Sequence, residues 1–236
     1  MAFGDNRVTT RDFGTTTAGA PGEVVRNRVL RNTYWLLALS MIPTVLGAWI
    51  GVSTGFSLMA GSPFMGLILF LAIAFGFFYA INRYRNSPVG VALLLGFTFF
   101  MGLMLSRLIG HVLGFSNGAG LIMTAFGGTA GIFAVMATIA TVSKRDFSGM
   151  GKWLFVGVLV VLAGMIANIW LQLPALMLTL SVLVIGIFSA FILYDVQRVV
   201  NGGETNYVTA TLAIYLSVYN IFAHLLSLLG IFGGED

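Results

Sequence analysis

The sequence predicts an all-α integral membrane protein with seven transmembrane helices. Its 236 residues are 58% hydrophobic and 8% charged, whereas soluble domains carry roughly 25% charged residues. Seven apolar segments each approach the length of about 20 residues that a helical crossing of a bilayer requires. A soluble protein could not cover its surface with so few charges, so we expect one multi-pass domain in contact with the lipid bilayer.

The predicted spans follow one another with short connections. The stretch Trp153 to Tyr194 is too long for one crossing, and Pro174 divides it because proline disrupts a continuing helix. Residues 1–25, rich in Thr, Gly and Ala, are predicted to form a flexible cytoplasmic tail that precedes the transmembrane domain, 26–236. No apolar core occurs in the first 31 residues, so no cleavable signal peptide is predicted. The seven spans are 33–53, 64–81, 89–109, 119–142, 153–171, 175–194 and 207–231.

The basic residues predict the orientation of these spans. With the amino terminus inside, the outer connections near 54–63, 110–118 and 172–174 contain no Lys or Arg, and Arg107 is the one basic residue toward the outside. This agrees with the positive-inside rule and puts the carboxyl terminus in the periplasm. Six spans plus a re-entrant seventh segment would put it inside. The remaining 11 of the 12 basic residues are inside: Arg7, Arg11, Arg26, Arg28, Arg31, Arg83, Arg85, Lys144, Arg145, Lys152 and Arg198.

Composition and motifs disfavour several classes of function. The chain has no cysteine, which excludes disulfides, thiolate metal sites and cysteine nucleophiles. Its net charge of +4 comes from residues beside apolar spans, which meet lipid head groups, so we expect no nucleic-acid partner. Metalloprotease, phosphate-loop and serine-hydrolase patterns are absent, so we do not expect an enzyme or a tightly bound cofactor.

The seventh span carries an ordered set of polar residues, within an arc of roughly 80° at 100° per residue. Such a face is costly in lipid, so the helix should be surrounded by the others. These side chains either bond helix carbonyls and a neighbouring helix, or line a hydrated path or gate. The polar residues of this stripe are Thr209, Ser217, Asn220, His224 and Ser227.

Asp195 is the acidic residue that stands closest to an apolar run, at the end of the sixth span. Carboxylates near membrane spans often mark ion or proton sites. A structural role is the alternative, because Arg198 follows at i+3 and would pair with Asp195 if the helix continues. Arg83 and Arg85, at the inner end of span two, are further candidate partners. A contact with another protein is the third interpretation.

Two segments resemble a known family. Residues 188–197 read Phe-Ser-Ala-Phe-Ile-Leu-Tyr-Asp-Val-Gln, similar to the sixth-helix signature of the Bax inhibitor-1 family. Residues 213–222 read Ala-Ile-Tyr-Leu-Ser-Val-Tyr-Asn-Ile-Phe, similar to its closing helix. Residues 30–37 resemble the bacterial YccA-like branch. The resemblance implies six helices wrapped around a central carboxy-terminal one.

The resemblance also implies two activities. Some members are pH-sensitive calcium leak channels controlled by a pair of hydrogen-bonded aspartates, of which Asp195 matches the first and Ser217 replaces the second. One carboxylate beside a hydroxyl lacks the coupling of two acids, so we expect at most a weak Ca²⁺ site. The YccA-like branch is associated with restraining a membrane-bound AAA protease, in part through the cytoplasmic tail.

The sequence therefore supports two hypotheses. The first is a pH-influenced leak pathway for Ca²⁺ or H⁺ along helix seven, with an ion or pH site at Asp195 and Ser217. The second is a regulator that binds a membrane-bound AAA protease in membrane-protein quality control. Both place the chain in the bacterial inner membrane.

Overall fold

The computed structural model describes residues 21–58 and 61–234, with side chains from residue 26 onward except Pro63. Residues 1–20 of the predicted tail lie outside the described ones, and helix α1 begins within the predicted tail, at Pro21. The helices are α1 (Pro21–Thr54), α2 (Pro63–Tyr84), α3 (Pro88–Leu113), α4 (Gly118–Val142), α5 (Met150–Leu171), α6 (Pro174–Val200) and α7 (Tyr207–Gly233).

Helix ends follow from local chemistry. Prolines stand at the first turn of α2, α3 and α6, where the missing N–H would have had no helical partner. Helix α5 ends as Gln172 takes a left-handed conformation with φ of 50°, and Pro174 then starts α6. The Asn206 side chain caps α7, since its Oδ1 accepts from the backbone N–H groups of Val208 at 2.9 Å and Thr209 at 3.2 Å.

All seven helices are long and apolar enough to cross a membrane, which confirms the predicted all-helical, seven-span fold. Each predicted segment lies within one helix. Helix α6 continues to Val200, so Asp195 is part of the helix and does not begin a loop. The basic connections lie at one end of the bundle, where the start of α1, the α2–α3 turn, the α4–α5 turn and the α6–α7 turn meet; we call it the basic end.

Helix α7 lies in the middle of the bundle, as predicted. It packs against α1, α2, α3, α4 and α6, whereas α5 packs against α6 alone among the described helices. Five helices rather than six therefore contact α7. Two of its tyrosines form hydrogen bonds with the surrounding helices. The Tyr215 hydroxyl shares a hydrogen bond with Thr44 of α1 at 2.9 Å, and the Tyr219 hydroxyl donates to the Met101 carbonyl of α3 at 3.2 Å.

Glycines allow α1 and α3 to approach until their backbones touch. A Cβ added at Gly47 would overlap the Phe99 carbonyl oxygen, and one added at Gly102 would overlap the Thr44 carbonyl oxygen. Gly47 belongs to a four-residue glycine repeat, of the kind that brings membrane helices together. The same spacing in α4 has no such role, because a Cβ at Gly127 or Gly131 would meet no described atom within 4 Å.

We predict that Gly47→Ala destabilises the fold by about 1–3 kcal/mol, the usual cost of overpacking a tight interface. The matched variant Gly127→Ala should be neutral or slightly stabilising, because alanine is the better helix former and open space surrounds this position. Thermal unfolding in detergent compares the two. Equal unfolding temperatures for both variants would contradict a close α1–α3 contact in the membrane domain.

Candidate functional site

Asp195 lines a cavity of about 430 Å³ at the basic end, between α2, α6 and α7. Polar and apolar side chains both line this cavity. No hydrogen bond or ion pair joins Asp195 to any other described residue. The polar residues of this inner cavity are Asn82, Arg85, Asp195, Arg198, Glu204 and Thr209; the apolar ones are Phe78, Ala210, Leu212, Ala213 and Leu216.

Glu204 is the second carboxylate of the inner cavity, and its place there was not predicted from the sequence. It stands in the α6–α7 turn, where its Oε1 accepts from the Asn206 N–H at 3.0 Å. Its Oε2 lies 3.9 Å from the Arg198 guanidinium. Arg198 thus forms its ion pair with Glu204 rather than with Asp195. The negative charge of Asp195 is attracted by Arg198 and repelled by Glu204.

The other candidate partners of Asp195 separate. Arg85 lines the inner cavity, whereas exposed Arg83 does not. Arg85 is also where α2 is tied to α7, because the Asn206 side chain donates to the Arg85 carbonyl at 3.1 Å and to Asn86 Oδ1 at 2.7 Å. Asn206 therefore links the end of α2 to the start of α7 beside the inner cavity.

Ser217 is not among the residues that line the inner cavity. It is 2% exposed, and its hydroxyl donates to the Ala213 carbonyl one turn earlier, at 3.3 Å. A helical hydroxyl commonly satisfies itself in this way where water is absent. The geometry therefore gives Ser217 a local bond, and the pairing of Asp195 with Ser217 stays a prediction from the resemblance.

The polar stripe of α7 faces inward but does not line one continuous space. Thr209 borders the inner cavity, and Asn220 borders a second one. Asn220 donates to its own helix, to the Leu216 carbonyl at 2.8 Å, instead of bonding a neighbouring helix. His224 is the stripe residue that reaches across, since its Nδ1 lies 3.1 Å from the Ser181 hydroxyl of α6. Ser227 is partly buried.

The second cavity, of about 470 Å³, also lies along the contact between α2 and α7. Its walls are mostly apolar, and Arg107, the basic residue predicted toward the outside, is its one charged residue. Phe78 of α2 and Leu216 of α7 are the two side chains that line both cavities. An apolar partition thus separates a charged inner cavity from an apolar outer one.

A third feature of the basic end was not predicted. Gln197, two residues after Asp195 in α6, is 4% exposed. It bonds the α4–α5 turn through both the oxygen and the nitrogen of its side-chain amide. The sequence signal was a glutamine inside an apolar helix, a group that requires a partner when buried. Among the described residues no three His, Cys, Asp or Glu side chains are grouped as a metal site.

Comparisons with known proteins agree with the resemblance. The family model described as "Inhibitor of apoptosis-promoting Bax1" matches residues 26–234. The chain is 41% identical over 211 residues, 89% of its length, to the "Modulator of FtsH protease YccA" of Escherichia coli K12, of which the match covers 92%. It is also 36% identical to an uncharacterised protein of Neisseria meningitidis serogroup B, over 90% of this chain and 95% of that one.

A membrane protein of Vibrio cholerae is similar at 33% identity, over 94% of this chain and 97% of its own length. The matches thus cover nearly the whole seven-helix domain, including the α6 and α7 segments that build the inner cavity. This multi-pass membrane protein belongs to the Bax inhibitor-1 family.

Proposed function

We propose that this protein is a bacterial inner-membrane regulator that binds a membrane-bound AAA protease and restrains it. The observation that carries this proposal is its 41% identity, over 89% of its length, to a protein named as a modulator of FtsH protease. A second match in Escherichia coli is named an inner membrane protein. We assign the basic end to the cytoplasm, which follows from the positive-inside rule.

The start of α1 supports a contact function at this end. The helix has 34 residues, about 51 Å at 1.5 Å per residue, and so exceeds the roughly 30 Å of hydrocarbon that it crosses. Val29 packs against Val199 of α6 and Ala210 of α7. The start of α1 therefore packs against the bundle where α6 ends and α7 begins.

Deleting residues 2–20 tests the role of the tail while it leaves α1 intact. We predict that the full-length protein slows degradation of a membrane substrate by E. coli FtsH, and that the deletion loses at least half of this effect because one contact is removed. The measurement is the substrate half-life in a strain that lacks its own YccA. A Gly/Ser replacement of equal length controls for tail volume.

Two outcomes separate the claims. If the full-length protein neither co-purifies with FtsH nor slows degradation, the proposed function is wrong. If the deleted form restrains FtsH as strongly as the full chain, the regulator stands and the tail's role is wrong.

A passive ion leak is the second candidate function. The two cavities along the contact between α2 and α7 favour it. The Asp195 carboxylate in the inner cavity has no ion-pair partner among the described residues and suits a proton or a cation. The apolar partition resembles the hydrophobic constrictions that gate channels by excluding water. Helix α2 packs mainly against α3 and only marginally against α7. A small displacement of α2 would therefore join the two cavities. Asp195, Glu204, Asn82 and Thr209 line the inner cavity with oxygen atoms, the ligand type that Ca²⁺ prefers.

We predict that Leu216→Ala increases Ca²⁺ or H⁺ flux into proteoliposomes several-fold, because it shortens one of the two side chains of the partition. Leu183→Ala is the matched control, since Leu183 is 48% exposed on the outside of α6. Asp195→Asn should reduce the pH dependence of the flux between pH 6 and 8. Flux no greater than in empty liposomes, for both wild type and Leu216→Ala at every pH, would eliminate the leak.

A further inference from the structure

The α4–α5 turn, residues 143–149, is fastened to α6 by one buried glutamine. The Phe147 N–H donates to Gln197 Oε1 at 2.6 Å, and Gln197 Nε2 donates to the Arg145 carbonyl at 2.6 Å. Burying an amide side chain without partners would cost several kcal/mol. The turn therefore satisfies Gln197, and Gln197 in return fixes the path of the turn.

Further bonds hold the rest of the turn. The Arg145 N–H donates to the Ser143 hydroxyl at 3.2 Å, and the Met150 N–H donates to the Phe147 carbonyl at 2.9 Å. The Phe147 ring packs against the main hydrophobic core. Gly151 lets α5 start against α6, because a Cβ there would lie 2.7 Å from the Tyr194 ring. The backbone is thus ordered before any partner arrives, which lowers the entropic cost of binding.

This rigid turn presents charged side chains outward. Lys144, Arg145 and Lys152 are exposed, and none forms an ion pair with a carboxylate in the described part of the chain. Asp146 is exposed between them, and its carboxylate accepts from the Ser148 N–H at 2.9 Å and the Ser148 hydroxyl at 3.0 Å. These two bonds hold the pKa of Asp146 below its usual value, and the bond from the Ser148 N–H contributes more than the bond from its hydroxyl. Asp146 therefore stays ionised.

We propose that this surface, the exposed residues of 143–152, is a docking site for an acidic segment of a cytoplasmic protein. The inference rests on the proposed function, under which that protein is the protease. A mixed pattern of charges distinguishes a protein partner from the lipid leaflet. Anionic head groups are attracted by cations alone, and an ionised Asp146 between Arg145 and Lys152 repels phosphate. A protein segment can place a donor opposite Asp146 and carboxylates opposite the cations.

Arg145→Glu is the direct test, with binding of purified FtsH to the full-length protein in nanodiscs as the measurement. We expect the Kd to rise about ten-fold or more, because a like charge faces the acidic segment. Arg83→Glu is the matched control, since Arg83 is an exposed arginine of the same basic end outside this surface. Its Kd should stay within about two-fold of the wild type.

Gln197→Leu provides a second variant that leaves the surface charge unchanged. It removes both bonds to the turn, so the turn loses its fixed path and binding should weaken several-fold. A thermal unfolding scan checks that both variants are folded. If Arg145→Glu fails to fold, Lys144→Gln tests the charge with a milder change, and an unaltered Kd for that variant overturns the proposal.

Lipid composition separates a protein partner from the membrane surface. The loss caused by Arg145→Glu should be the same in nanodiscs of phosphatidylcholine and in nanodiscs that contain phosphatidylglycerol. A loss that appears only with the anionic lipid would mean that the turn acts through the leaflet, and the docking site would be wrong. Wild-type protein that does not bind FtsH refutes the proposed function, whereas equal binding by wild type, Arg145→Glu and Gln197→Leu refutes this inference alone.

Discussion

The hydrocarbon interior of a membrane offers no hydrogen-bond partners, and the arrangement of the whole bundle depends on that constraint. Helix α7 carries hydroxyl, amide and imidazole groups along its length, and each of them requires a partner in its own helix or in a neighbouring one. Tyr215 is 1% exposed and finds the Thr44 hydroxyl and the Thr98 carbonyl. The Thr211 hydroxyl donates to the Tyr207 carbonyl of its own helix at 2.7 Å and also lies 3.3 Å from the Thr33 carbonyl of α1. These bonds draw α1 and α3 around α7, and the glycines at the α1–α3 contact let the two helices come close enough to do so.

The sequence predicts the spans, the polar face of α7 and the position of Asp195 because each depends on local pattern: length, helical period and the cost of a charge among apolar residues. Contacts between elements do not follow from such patterns. A helical wheel places Asn220 on the inner face, but cannot decide between its own Leu216 carbonyl and a neighbouring helix. Glu204 belongs to a turn, where the angular arithmetic of a helix does not apply. Its approach to the Asp195 cavity depends on how α6 and α7 meet.

The last turns of α6 connect the two features that we propose to be functional. Asp195 and Arg198 are three residues apart and line the inner cavity. Tyr194 and Gln197 are also three apart: Gln197 bonds the α4–α5 turn, and Tyr194 lies against Gly151 at the start of α5. Residues at this spacing share a helix face. One rigid segment therefore has the inner cavity on one face and the turn that carries the docking surface on an adjacent face. A rotation of α6 that alters the surroundings of Asp195 would also shift the turn, so ion binding and protein binding need not be alternatives.

The second carboxylate of the inner cavity belongs to the α6–α7 turn rather than to a membrane-spanning helix. Glu204 lies at the aqueous end of the bundle, two residues before the Asn206 cap of α7, where the positive end of the helix dipole favours a negative charge. It is paired there with Arg198. The inner cavity is lined by two carboxylates, those of Asp195 and Glu204, and by two guanidinium groups, those of Arg85 and Arg198. Because Arg198 is paired with Glu204, Asp195 has no ion-pair partner among the described residues. Any event that separates Arg198 from Glu204 would leave the Arg198 guanidinium free to pair with Asp195, one helical turn away.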